Sequence, residues 1–245
     1  RLYKRQIESV KPEDERYVNA LMARSDLLDL CGNFPQMKFI IFTNLEDTPI
    51  DDQIRVPDNV LCISAVNAIA HGDKVIPAPY GVQRKMTPDD DRIEQLMGWM
   101  EFDNKDNPDN LLYVSHNESS NARRLGIKNL FYDKDWAEVN EQRVGYHTFL
   151  SNLSNSKFMI CPIGNAIDCH RNWEVLYMRR VPVMVRDPYL EELYKDYPVL
   201  FVDNYKDVTK ELLMKNDHLF QKAQTMNLSG LTLPTFFDRI VEKAL

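Results

Sequence analysis

Residues 156–185 read SKFMICPIGNAIDCHRNWEVLYMRRVPVMV, and the order of signals within them decides the fold. Lys157-Phe158-Met159-Ile160-Cys161 is a short apolar run, the pattern of a strand covered on both faces. Pro162, Gly164 and Asn165 supply a turn, residues 171–178 have helical spacing, and Val181-Pro182-Val183-Met184-Val185 is another buried run. Strand, loop, helix, strand is the repeating unit of a parallel sheet.

The same alternation extends outward. Towards the carboxyl end it predicts a short helix over 189–194, a strand over 199–202, and helices over 206–215 and 234–245. Towards the amino end it predicts helices over 146–153 and 121–130 and a strand over 111–114. Residues 102–110 (FDNKDNPDN) are polar, carry a proline and have no apolar period, so they read as a linker. Before them come an amphipathic helix over 12–30, strands over 38–42, 60–63 and 74–76, a rigid Pro77-Ala78-Pro79-Tyr80-Gly81 loop and a short helix over 91–100. The expectation is an α/β chain of two Rossmann-like domains facing a cleft. Residues 1–104 form the amino-terminal domain and 105–233 the carboxyl-terminal domain, with a terminal helix over 234–245 packing back on the first.

Composition narrows the function classes. The chain has 245 residues, 44% hydrophobic and 27% charged, with a net charge of −7. That charge gives no sequence-independent attraction to nucleic acid, so no nucleic-acid partner is expected. No apolar run approaches the roughly 20 residues that span a bilayer. Cys31, Cys62, Cys161 and Cys169 lie far apart without a C-x-x-C pair, and the first three sit in or beside apolar stretches, which points to buried free thiols in a reducing, cytoplasmic setting, with a disulfide as the alternative. A Golgi-luminal or membrane-associated setting is the alternative where an anchor precedes Arg1.

Chemistry concentrates at the loop–helix junction of residues 161–174. A helix amino terminus presents unpaired N–H groups and a positive partial charge, which suits a diphosphate. Arg171 adds a fork of donors, and Glu174, three residues on, shares its helical face and can accept from two ribose hydroxyls. The pair reads equally well as an ordinary ion pair on a helix surface. A second cluster follows the 111–114 strand: Ser115, His116, Asn117, Asn121, Arg123 and Arg124, a polar loop ending in two cations. It reads either as a phosphate site at a strand end or as a helix cap followed by solvated arginines.

The stretch over 156–185 resembles the donor-binding segment of exostosin-like glycosyltransferases and related bacterial and viral polysaccharide enzymes. Ser156, Lys157, Phe158, Cys161, Pro162, Gly164, Asn165, Asp168, His170, Arg171, Trp173, Glu174, Leu176, Tyr177, Pro182 and Val183 carry the resemblance. It covers residues 111–201 well and the first hundred poorly. The resemblance implies a GT-B type fold that transfers a sugar from a nucleoside-diphosphate sugar to a glycan hydroxyl without a metal or other cofactor. It also implies a donor site of Pro162, Gly164, Asn165, Asp168, His170, Arg171 and Glu174, with Ser115, Asn117, Asn121, Arg123 and Arg124 beside them. Related enzymes have a small residue near position 179, where this chain has Arg179 and Arg180.

An inverting transfer needs a base. Glu46, Asp47 and His71 are the candidates from the first domain, with Asp73 and His116 as further possibilities. Tyr80 is the candidate for stacking on an acceptor sugar. Asp89-Asp90-Asp91 and Asp51-Asp52 read as helix-start and loop carboxylates and not as the Asp-x-Asp pair that holds a metal-bound sugar nucleotide. The competing reading is a nucleotide- or glycan-binding module of the same fold without catalysis.

Overall fold

The computed structural model describes residues 24–43, 54–68, 73–83, 89–103, 105–231, 236, 238 and 240–242. Contacts divide the chain into two units, Arg1–Ala78 with Gly230–Leu245, and Pro79–Ser229. The boundary therefore falls at residues 78 and 79, while composition pointed to residue 104.

In the first unit, helix α1 (Arg24–Gly32) precedes three parallel strands in sequential order: β1 (Phe39–Thr43), β2 (Val60–Ala65) and β3 (Val75–Pro77). Asn59 is buried and its amide donates to the carbonyls of Cys31 and Phe34 at 2.9 and 3.0 Å, tying α1 and its trailing turn to the start of β2. Cys62, Ile76 and Ile240 form a small core with Ile40, Phe42 and Phe236 beside it, so the carboxyl-terminal residues belong to this unit's packing. Only part of the expected 12–30 helix lies within the described residues.

The second unit opens with α2 (Arg92–Gly98), extended by a π-helical turn over Trp99–Asp103. Five parallel strands follow: β4 (Asn110–Val114), β5 (Ala137–Val139), β6 (Ser156–Ile160), β7 (Val181–Val185) and β8 (Leu200–Val202). Between them run α3 (Tyr146–Ser154), α4 (His170–Tyr177) and α5 (Pro188–Leu193), and after β8 come α6 (Lys210–Lys215) and α7 (Asp217–Thr225). The sheet order is β5-β4-β6-β7-β8, so consecutive strands run 2-1-3-4-5. Side chains alternate along each strand. Leu112, Val114, Phe158, Ile160, Val181, Val183, Leu200 and Val202 join Ile127, Phe131, Leu213, Phe220 and Ala223 in one core. Tyr113 on the other face stacks on Phe149 of α3. Each such buried side chain contributes about 1.5–3 kcal/mol, which is why the apolar runs were readable as strands.

Four local expectations are corrected. Residues 121–130 are not one helix but two 3-10 turns, Ala122–Arg124 and Lys128–Leu130. Leu125 is extended and Gly126 adopts φ 75°, a left-handed geometry that ends any helix there. Strand β5 and helix α7 have no counterpart in the sequence reading, β5 because three half-buried residues make no apolar run. The region expected as a linker is tied down: the Lys105 N–H donates to Ser154 Oγ at 2.9 Å, and its carbonyl accepts from Arg180.

Arg179 and Arg180 are explained by how α4 ends. The Arg180 N–H donates to the Val175 carbonyl and the Arg179 N–H to that of Leu176, both at 2.9 Å, with Arg179 at φ 53°. This is a Schellman cap whose left-handed position usually holds glycine. Here the strain is held by Arg179 donating to the Gln224 and Met226 carbonyls at 2.6 and 2.9 Å, while Gln224 Nε2 donates back to the Arg179 carbonyl at 2.8 Å. Arg180 is fully buried, spends its guanidinium on the carbonyls of Lys105, Ser154 and Arg179, and has its pKa lowered by burial to about 10.

Candidate functional site

In a 2-1-3-4-5 sheet the chain leaves the first and third strands in opposite directions, which opens a crevice beyond their carboxyl ends. In the second unit those strands are β4 and β6. The loops that leave them are the two polar segments picked out from sequence.

After β4, Ser115 is buried near the Tyr113 hydroxyl. Asn117 caps the Glu118–Ser120 turn through Ser119 N at 3.1 Å, and Asn121 caps the next turn through Arg123 N at 2.9 Å. The Asn121 amide also donates to the Gly164 carbonyl at 2.6 Å. Arg124 completes the link. Its Nε donates to the Ile163 carbonyl at 2.7 Å, Nη2 to that of Pro162 at 2.8 Å, and Nη1 to that of Asn117 at 3.3 Å. Arg124 is thus a clamp joining the two loops, with its donors directed at main chain. Arg123 differs: it is exposed, and its guanidinium has no partner among the described residues.

Gly164 makes the clamp possible. A Cβ there would lie 3.0 Å from both Arg124 Nη2 and Cys169 Sγ, tighter than ordinary packing. Asn165 beyond it is exposed, whereas Pro162 is buried.

Asp168 is fully buried and accepts from five donors. Its Oδ1 takes Cys169 N at 2.8 Å, Asn172 Nδ2 at 3.0 Å and the Tyr194 hydroxyl; its Oδ2 takes Tyr80 N and Trp173 Nε1, each at 2.7 Å. Burial raises its pKa, and the bonds from Tyr194, Trp173, Tyr80 and Asn172 pull it down. With no exposed atom, Asp168 supports the site from beneath and does not meet a ligand. Trp173 stacks on Tyr194 with ring centres 4.8 Å apart, a packing role.

His170 opens α4. Its Nδ1 lies 2.7 Å from the Gly81 carbonyl and its ring meets the edge of Tyr80 at 4.3 Å. The Tyr80 ring, expected to stack on an acceptor sugar, is turned to His170 instead. Arg171 and Glu174 form the i,i+3 ion pair, Nε to Oε2 at 3.3 Å. The Arg171 guanidinium lies 3.7 Å over the Phe149 ring, and Glu174, almost fully buried, takes the Tyr146 hydroxyl on Oε1 at 3.2 Å. Burial is the main reason that the Tyr146 pKa is raised. Glu174 is therefore engaged within the protein, whereas Arg171 is tied through Nε alone and keeps a partly exposed guanidinium.

Glu46, Asp47 and His71 lie outside the described residues, and Asp73 is exposed. His116 is half-buried with Nε2 3.3 Å from the Arg124 carbonyl and Nδ1 sealed without a partner. Burial lowers its pKa to about 4, with the charges of Arg124 and Lys128 adding to the shift. A sealed, weakly basic imidazole does not serve as a proton acceptor for substrate.

No protein-family model matches the chain, and no curated protein matches it.

Sequence reasoning missed Tyr146, Phe149 and Tyr194, which hold Glu174, Arg171 and Asp168; only folding brings them near, and nothing in their local spacing marks them. A separate hollow of about 450 Å³, lined by Phe131, Trp136, Tyr205 and Val208 among others, contains no residue of either loop. Among the described residues no group of three or more His, Cys, Asp or Glu is arranged to hold a metal ion, and no helix is long and apolar enough to cross a membrane.

Proposed function

We propose that the protein is a glycosyltransferase of GT-B type, moving a sugar from a nucleoside-diphosphate sugar to a hydroxyl of a glycan. The observation that carries this reading is the pair of loops bound together by Arg124 and Asn121 at the carboxyl ends of β4 and β6. These loops hold the residues of the exostosin-like motif, and a crevice at this point of a doubly wound sheet is where such folds take nucleotides. Arg123 is a free cation for the diphosphate, with the amino terminus of α4 as a second source of positive potential. Arg171, tied to Glu174 through Nε alone and partly exposed, is a further cation for the diphosphate. Arginine and helix dipole together supply the charge stabilisation that other transferases take from a cation.

The test is thermal stabilisation by UDP, GDP, dTDP and CMP, with and without a divalent cation. A nucleotide at a hundred times its Kd stabilises by about 2.7 kcal/mol. The expected result is a shift with one nucleoside diphosphate, unchanged by chelator and weakened about tenfold in affinity by Arg123→Ala. Absence of a shift with every nucleotide would overturn the reading.

One observation favours a second reading. Glu174 is buried beneath Arg171 and Tyr146, which takes the ribose acceptor out of reach and suits a binding module without catalysis, for a glycan or a nucleotide. Nucleotide binding without turnover of any sugar nucleotide would select it.

A further inference from the structure

We infer that His170 is the general base, taking the proton from the attacking hydroxyl; this rests on the glycosyltransferase reading above. Nδ1 of His170 is 2.7 Å from the carbonyl oxygen of Gly81. A carbonyl can only accept, so Nδ1 carries the hydrogen, and in the neutral ring the lone pair is then on Nε2. Nε2 has no partner among the described residues, and the side chain is only partly buried. A base needs this arrangement: one ring nitrogen held by an orienting acceptor, the other open to the reacting group.

The orienting carbonyl is itself held. Gly81 adopts φ 67°, a left-handed conformation suited to glycine, which sets the direction of its carbonyl. The preceding Tyr80 N–H is anchored 2.7 Å from Asp168 Oδ2, and the Tyr80 ring closes on the imidazole at an interplanar angle of 76°. Asp168, itself held by Trp173, Asn172 and Tyr194, thus fixes the loop that fixes the imidazole. Asp168 is a positioning residue here. His116, by contrast, has its Nδ1 sealed.

The step balances without a further reactant. The acceptor hydroxyl gives its proton to Nε2, and its oxygen forms the new bond to the anomeric carbon. The bond from that carbon to the phosphate oxygen breaks, its electron pair leaving with the nucleoside diphosphate. The anomeric configuration is inverted, and the imidazolium returns its proton to solvent.

The test uses His170→Asn, whose amide can still donate to the Gly81 carbonyl but offers no basic nitrogen. Release of nucleoside diphosphate is measured for UDP-, GDP- and dTDP-sugars, with water and with a panel of oligosaccharide acceptors. The expected result is a kcat lowered at least about 100-fold, affinity for the nucleoside diphosphate within about threefold of wild type, and an unchanged melting curve. Added imidazole restores part of the rate. A variant that keeps kcat within tenfold of wild type overturns the inference and leaves the transferase reading standing, as does one whose loss of rate is matched by loss of nucleotide affinity. A wild-type chain that releases nucleoside diphosphate from no donor overturns the transferase reading and the inference with it.

Discussion

Replacing Asp168 with asparagine changes one oxygen to an amide nitrogen and leaves the volume untouched. Of the five groups around the carboxylate only the Tyr194 hydroxyl can also accept, so neither orientation of the amide satisfies the other four. With the nitrogen at the Oδ2 position it faces Tyr80 N and Trp173 Nε1; at the Oδ1 position it faces Cys169 N, Asn172 Nδ2 and the Tyr194 hydroxyl. The better orientation strands two donors, and a buried donor without a partner costs about 1–3 kcal/mol. Relief from burying a charge offsets part of that, which leaves a net loss of about 3 kcal/mol. For a domain of this size, the melting temperature falls by roughly 6–12 °C. The chain's three tryptophans, Trp99, Trp136 and Trp173, all lie within Pro79–Ser229, so tryptophan fluorescence in a urea titration reports that unit alone. The expected signature is a lower midpoint with an unchanged slope. A loss below about 1 kcal/mol would refute the reasoning, because the donors would then not depend on the carboxylate.

Gly164→Ala sets a methyl group against the Arg124 guanidinium and Cys169 sulfur, and is expected to cost about 1–3 kcal/mol and to weaken nucleotide binding; Gly145→Ala, where a Cβ meets nothing within 4 Å, is the neutral control. His116 provides a pH dependence. Its folded pKa of about 4 lies below the ordinary 6.5, so the folded state binds fewer protons between those values. Its contribution to stability is fully present above pH 6.5 and is lost as pH falls through about 4. The full shift corresponds to about 3 kcal/mol, and partial exposure reduces this to about 2 kcal/mol. Urea midpoints at pH 7.5 and 4.5 are expected to converge in His116→Gln, and equal pH slopes in variant and wild type would remove this role from His116.

Both loops were legible because their signals are local. Gly164, the cap residues Asn117 and Asn121 and the adjacent arginines belong to short loops directly after apolar runs, where sequence spacing and spatial spacing nearly coincide. The division of labour among them was not legible. Arg123 and Arg124 are neighbours of identical type, yet one points to solvent and the other to three carbonyls. His170 and Asp168 looked like ligand residues beside Arg171; the Tyr80–Gly81 loop, far back in the chain, makes one an oriented imidazole and the other a buried support.

The sequence by itself determined the alternating strands and helices, the two parallel sheets and the loops at the ends of β4 and β6. Strand burial and turn chemistry are written at periods of a few residues, and each run carries its own signal. Tertiary structure alone decided the 2-1-3-4-5 strand order, the Tyr146 hydroxyl that covers Glu174, and the hub at Asp168. Those features depend on which side chains meet across tens of residues. A hydrogen bond or ion pair depends on distances of a few ångströms, and no local pattern in the chain encodes such a distance.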